Sequence, residues 1–380
     1  MTITHQSQLR DGPRQEPPRR TLGDAMRGGA NSLDVLRLVA ATMVVFSHSW
    51  LLGFGADAPG EDWPREPFHV LTRGQTDAGK MAVDFFFLIS GLLVSQSWVR
   101  SRGLGEYLRK RVLRIYPGFV CSVLFTILVL VPVCSRDVAH YFASVSWRSV
   151  VYRTGFLQSV HVPLAFPDAP FPGVVNGALW SICHEFVCYL LVAGVGLLGV
   201  LGDRRAMLAL LLASPATLGW QTYVDPGLLP DRELGLFGKA REWPRLLSFF
   251  AAGMCARAFA DVLPLRRSWF LAATAILALA CWEGLKLALP VAGAYAVLYI
   301  GFRWRFGTAW VARHGDLSYG VYLYGWPVQQ VCVSLWPGAL RHQPWRLFPV
   351  AMLFTLGLAF LSWRLVEHPC LRWKVRRGAQ

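Results

Sequence analysis

One apolar stretch carries two side chains that can do chemistry. Residues 33–54 are hydrophobic apart from Asp34, Arg37, His48 and three small hydroxyl residues. Ionisable groups inside a membrane helix are costly and mark functional positions by default. Arg37 and His48 stand eleven positions apart. At about 100° per residue this is three turns plus about 20°, so both lie on one helix face, about 16 Å apart along the axis. An imidazole can serve as general base or as nucleophile. A guanidinium grips phosphate through two parallel hydrogen bonds.

Other ionisable residues fall in apolar stretches as well. Asp84 lies about five residues in from one end of the stretch 80–99, and His184 and Glu185 about seven residues into the stretch 178–200. If these stretches run from outside to inside, Asp84, His184 and Glu185 share the depth of His48. Asp84 is then expected to orient or charge-stabilise His48. A plainer reading is that such polar pairs only hold helices together, which applies most strongly to His184. The cluster Arg109-Lys110-Arg111 with Arg114 precedes the third apolar stretch. It reads either as a phosphate clamp or as ordinary anchoring at the cytoplasmic face.

The elements that must position these residues are membrane helices. The 380-residue chain is 54% hydrophobic and only 16% charged, against about 25% charged in soluble domains. Its apolar residues gather in blocks of about 20, as a bilayer requires. Ten spans are expected: 33–54, 80–99, 115–134, 178–200, 205–222, 244–260, 268–287, 288–302, 316–336 and 346–366, with the seventh and eighth divided near Pro290. Arginine and lysine concentrate in alternate loops. These include Arg100, Arg102 and the 109–114 cluster, Arg204 and Arg205, Arg266 and Arg267, and Arg303, Arg305 and Arg313. The first loop on the other side is acidic, with Asp57, Glu61, Asp62, Glu66 and Asp77. The positive-inside rule then puts both termini in the cytoplasm. The expected fold is an all-α polytopic transmembrane helical bundle spanning 33–370. A polar, disordered cytoplasmic tail is expected at 1–32, a long outer loop at 135–177 and a basic cytoplasmic tail at 371–380. Residues 1–32 lack the apolar core of a cleaved signal peptide. The net charge of +15 follows topology, and no basic soluble domain exists to hold nucleic acid. The eight cysteines form no Cys-x-x-Cys pair. They read as small packing residues, and no metal site is expected.

Six fragments in order give these residues a context: the Arg37-x10-His48 spacing; Val83-Asp84-Phe85-Phe86-Phe87-Leu88-Ile89-Ser90-Gly91; Arg111-Val112-Leu113-Arg114-Ile115-Tyr116-Pro117; Asn176-Gly177-Ala178-Leu179-Trp180-Ser181 followed by Glu185; Leu317-Ser318-Tyr319-Gly320-Val321-Tyr322-Leu323; and Val366-Glu367-His368-Pro369. Together they resemble the acyltransferase-3 family of bacterial membrane O-acyltransferases over about 33–370. The resemblance implies a multi-pass enzyme of the bacterial cytoplasmic (inner) membrane. It would transfer an acyl group, usually acetyl from acetyl-CoA, to a hydroxyl of a carbohydrate or glycolipid. It implies His48 as the catalytic residue, and Arg37, Arg111 and Arg114 as donor-binding residues; Asp84 and Glu185 are expected to be catalytic with His48 because of their charge inside apolar stretches. Relatives often carry a histidine before the Trp-Pro of the ninth span; here Gly325 precedes Trp326-Pro327. About 14 residues follow the last span, which reads as a stand-alone form without a hydrolase-like domain.

A proton-coupled transporter or flippase of a glycolipid or small solute would also need buried His, Asp and Glu, but no internal repeat of the transporter kind is visible. A structural scaffold is the third reading. Direct attack by the acceptor, with His48 as base, is preferred over an acyl-histidine relay because a hydroxyl acceptor must lose its proton.

Overall fold

The computed structural model describes residues 21–29, 31–55, 65–304, 306–308 and 315–376. Among these residues the chain is helical, with isolated bridges and no strand. Ten helices occupy the ten expected segments: α1 Leu33–Phe54, α2 Ala78–Val99, α3 Leu104–Cys134, α4 Gly177–Leu197, α5 Arg204–Tyr223, α6 Trp243–Ala258, α7 Arg267–Ala280, α8 Leu285–Arg303, α9 Ser318–Leu335 and α10 Pro344–Arg372. Six of them, α1, α2, α3, α4, α8 and α10, are long and apolar enough to cross a membrane. Helices α6 and α7, with 16 and 14 residues, fall short of the roughly 20 that a bilayer asks for.

Two helices form the centre. In α9 every residue from Ser318 to Gln330 is buried, although the run contains Tyr319, Tyr322, Tyr324, Gln329 and Gln330. Backbone and side-chain partners make this possible. Tyr319 donates to Ile115 O at 2.8 Å, and Gln329 donates to Val45 O and Ser49 Oγ at 2.9 and 2.7 Å. Without water, each such group left unpaired would be costly. Helix α2 is the other central element, and α6 lies alongside it. Gly91 and Gly253 set their spacing: a Cβ on Gly91 would collide with Phe250 O, and one on Gly253 with Leu88 O. Small residues commonly allow such close approach in membranes.

Three expectations about the chain's course change. The boundary between α7 and α8 falls at 281–284, not at Pro290. Gly284, at φ 85°, makes the turn. The Gln75 side chain caps it, with Nε2 donating to Ala280 O and Cys281 O and Oε1 accepting from Leu285 N. Pro290 lies in the wide turn Leu289–Gly293 within α8, a geometry that lets a helix continue past its missing donor. Of the expected tail 1–32, residues 1–20 and 30 lie outside the described residues. The rest is packed: Leu22–Arg27 is a helix with a Thr21/Asp24 capping box and buried Leu22 and Ala25. At the other end the helix runs on through His368–Arg376, so the expected basic tail begins as helix, and 377–380 lie outside the described residues. The acidic residues Asp57, Glu61 and Asp62 and the cations Arg305 and Arg313 are likewise outside them.

The long loop is ordered. It contains helices Val138–Ser144 and Trp147–Gly155. Both are tied to α3: Tyr141 donates to Ile127 O and Tyr116 to Gly155 O, each at 2.9 Å. Its return strand of chain is held by Gln330, which donates to Phe171 O at 2.9 Å.

Replacing Gly91 by valine should force α2 and α6 apart. We expect a loss of about 1–3 kcal/mol, read as a lower thermal midpoint of the detergent-solubilised protein, whereas Gly105→Ala, with open space around it, should leave the midpoint unchanged.

Candidate functional site

Helix α1 presents its two charged residues to two different environments. At its start, Arg37 Nη1 reaches Asp316 Oδ2 at 2.9 Å, and Arg114 Nη2 reaches the same oxygen at 2.5 Å. All three side chains are largely buried. Asp316 lies in the turn before α9, and its other oxygen accepts from Ser318 N and Oγ. Arg111 stands apart from this trio. It donates to Ser97 Oγ at 3.1 Å and lies over the rings of Tyr189 and Tyr107, at 5.5 and 5.9 Å. Its Nε is buried without a hydrogen-bond partner. Glu367 is buried near this end as well, accepting from Ser362 with one oxygen while the other has no partner. The expected grouping of Arg37 with Arg114 therefore holds as geometry, joined by an acid that the expectation lacked.

At the other end of the same face, His48 lines a cavity of about 600 Å³. Its ring packs edge-on against Trp326, 4.9 Å between centroids, and Trp326 rests in turn on Phe171 of the long loop at 5.5 Å. His48 Nδ1 is buried and has no hydrogen-bond partner. The cavity wall combines aromatic surfaces from Trp50, Trp180 and Tyr322 with the charged groups Glu66, Asp77, Lys80, Glu242 and Arg245. Glu66 caps the short helix Pro67–Leu71 by accepting from His69 N at 2.8 Å, and its other oxygen is buried and unpartnered. Burial raises the Glu66 carboxyl above its ordinary value, against the lowering effect of that backbone donor.

The expected contact of Asp84 with His48 does not form. Asp84 pairs with Arg245, which also donates to Glu242 Oε2 at 2.8 Å. The reason is the glycine crossing. It lays α6 parallel to α2, so two turns toward the helix starts Arg245 meets Asp84. The carboxylates that line the same cavity as His48 are Glu66, Asp77 and Glu242; Asp77, at the N-cap of α2, lies 3.5 Å from Ser47 Oγ. His184 and Glu185 likewise make their contacts elsewhere than on His48. Being adjacent in a helix, they face different ways. The two ring nitrogens of His184 each lie 3.0 Å from a backbone carbonyl, of Trp180 and of Lys239. Glu185 accepts from Ser90 at 2.7 Å and from Tyr189 at 2.6 Å, on the side of Arg111. From sequence, Asp316, Arg245, Glu66 and Trp326 carry no assigned site role, although Glu66 is named for its charge and Trp326 beside Gly325. Trp326 and Asp316 lie in or beside fragments already singled out, which was the only signal available for them. Among the described residues no cluster of His, Cys, Asp or Glu could hold a metal ion.

The comparisons with known proteins agree with a transferase. The family described as "Acyltransferase domain", the third of that name, matches residues 30–364. An O-acetyl transferase of Shigella phage Sf6 is 29% identical over 358 residues, covering 89% of this chain and 95% of the relative. Nodulation protein 10 of Rhizobium leguminosarum bv. viciae is 26% identical over 371 residues, covering 91% and 94%. No solved structure matches the chain.

Removing Asp84 should leave Arg245 half-paired in a buried setting. We expect Asp84→Ala to cost about 3 kcal/mol and Asp84→Ala with Arg245→Leu to cost less than the two single changes added, in thermal melts of the detergent-solubilised protein; simple additivity would show that the pair is not coupled.

Proposed function

The chain belongs to the acyltransferase-3 family and is a multi-pass membrane O-acyltransferase, and from this premise we propose that it moves an acyl group, acetyl in the first instance, from cytoplasmic acyl-CoA to a hydroxyl of a carbohydrate or glycolipid. The observation that carries this reading is the single face of α1. It joins a cluster of guanidiniums at one end to an imidazole in an aromatic cavity at the other.

The inner end suits a phosphate-bearing donor. Arg37 and Arg114 share Asp316, with Asp34 a second and more exposed acid at 3.8 Å from Arg37, and the Arg111 Nε is an orphaned buried donor. Phosphate oxygens satisfy such groups well. Glu185 and Tyr189 steady this region by packing beside Arg111. From there an extended thioester arm runs along α1 toward His48, about 16 Å away along the axis.

The outer end suits a hydroxyl-bearing acceptor. Aromatic faces stack against sugar rings, while Glu66 and Asp77 offer oxygens to hydroxyl protons. His48 takes the proton of one hydroxyl as its oxygen attacks the thioester carbonyl. The carbon–sulfur bond breaks, CoA leaves as a thiol after taking up a proton, and an ester remains. Trp326 fixes the imidazole plane, and Arg245, held in place by Asp84 and Glu242, offers its guanidinium as a fixed local dipole where the carbonyl oxygen gains negative charge. The setting is the bacterial cytoplasmic membrane with both termini inside.

In proteoliposomes supplied with radiolabelled acetyl-CoA and a surface-glycan extract, His48→Ala should lose at least about a hundredfold in rate at normal abundance. Arg114→Ala should instead raise the KM for acetyl-CoA about tenfold. Labelled glycan formed equally by His48→Ala and the parent protein would overturn the reading, and an acetyl group trapped on His48 would replace direct attack by a relay.

A further inference from the structure

A second cavity, of about 480 Å³, adjoins the one at His48, and the two share Lys80, Lys239, Glu242 and Arg245 in their walls. The charges around this second cavity are unbalanced. Its three carboxylates are all engaged: Asp84 and Glu242 hold Arg245, and Asp231 faces Lys239 at 3.7 Å. Lys80 is matched by Asp77, at 3.3 Å. Arg241 and Lys286 remain, and among the described residues neither has a carboxylate partner. Arg241 sits just before α6 and is exposed; Lys286 sits in the first turn of α8 and is half-buried. Two unmatched cations on facing elements of one cavity repel each other, and an anion between them removes that cost.

The geometry points to a subsite for an anionic sugar in this second cavity, with Arg241 and Lys286 holding its carboxylate or phosphate. This rests on the acyl-transfer reading and deepens it. The hydroxyl-bearing unit occupies the aromatic cavity at His48, where Glu66 and Asp77 disfavour a negative charge. The neighbouring acidic unit reaches past the Arg245 wall. The acceptor is therefore a glycan of at least two units with an acid group beside the acylated sugar. A neutral sugar would leave both cations unsatisfied and so be discriminated against.

The test is calorimetric titration of the whole protein in nanodiscs, without any acyl donor. Three probes separate the possibilities: maltotriose, trigalacturonate and maltose 1-phosphate. The parent protein should bind at least one anionic probe about tenfold more tightly than maltotriose, with an affinity that falls as salt rises. Whether the carboxylate or the phosphate probe binds identifies the acid. Arg241→Gln and Lys286→Gln should each erase most of that preference, and Lys286→Arg should restore it. Because Arg241 is exposed, its variant should fold normally and carry the test if Lys286→Gln does not. Equal binding of all three probes, or a preference unchanged in Arg241→Gln, would overturn the subsite. Absence of any anion preference in the parent protein, with intact transfer activity, would sink only this inference; transfer unaffected by His48→Ala would sink the activity reading while leaving the binding result standing.

Discussion

The packing of α1 along α9 is the constraint from which the candidate site follows. The two helices run parallel and are pinned along their length. Arg37 meets Asp316 at one end, Gln329 ties Val45 and Ser49 near the middle, and His48 rests on Trp326 between them. Gly325 is part of the same fit, since a Cβ there would run into Val45. Each pin is polar or aromatic, and each has a partner that only this register supplies. A slip of one residue would turn the Gln329 amide away from Val45 O and leave a donor unpaired where water cannot reach it. The register therefore fixes both ends of the α1 face at once, and with it the path between the arginines and the imidazole.

A second constraint, independent of the first, shapes the outer cavity. The Gly91–Gly253 contact brings α6 against α2 and delivers Arg245 to Asp84. Without it, Asp84 would face the membrane interior as an unpaired carboxylate, which is expensive. With it, Asp84 is spent on holding Arg245, and Arg245 becomes a cavity wall. The long loop completes the enclosure through Phe171, which backs Trp326, so a segment far from α1 in sequence bears on the orientation of His48.

Much of this was legible in the sequence and some was not, for physical reasons. Helix positions follow from hydropathy, because lipid tolerates little else, and each of the ten expected segments holds a helix, the seventh being broken by the turn at 281–284. The shared face of Arg37 and His48 follows from helical geometry alone. What failed was the inference from depth to contact. Counting residues from the helix ends gives Asp84 the expected depth of His48, yet depth leaves azimuth open, and azimuth is set by the glycines of a helix pair that hydropathy does not report. His184 and Glu185 show the same limit: neighbours in sequence, they point to a backbone pocket and to Tyr189 respectively. Asp316 was hidden differently. A lone acid in a basic loop looks like charge balance until tertiary structure places two guanidiniums on one of its oxygens.

The two ends of the α1 face also differ in how their charge is compensated. At the outer end Arg245 has two carboxylates, Asp84 and Glu242, so its charge is more than matched and it asks for no anion of its own. At the inner end Arg37 and Arg114 share the buried Asp316, Arg37 has a second and more exposed acid in Asp34 at 3.8 Å, and Arg111 relies on aromatic rings and a serine. In a low-dielectric setting that difference is large, because uncompensated charge is poorly screened there. Arg111, which has no ion-pair partner among the described residues, is the group at the inner end that gains most from a phosphate. The outer end offers the Arg245 guanidinium as a fixed local dipole rather than as net charge, set to respond to charge developing on a carbonyl oxygen. Such an asymmetry separates holding a donor from transforming it, and a single straight helix delivers both functions in line.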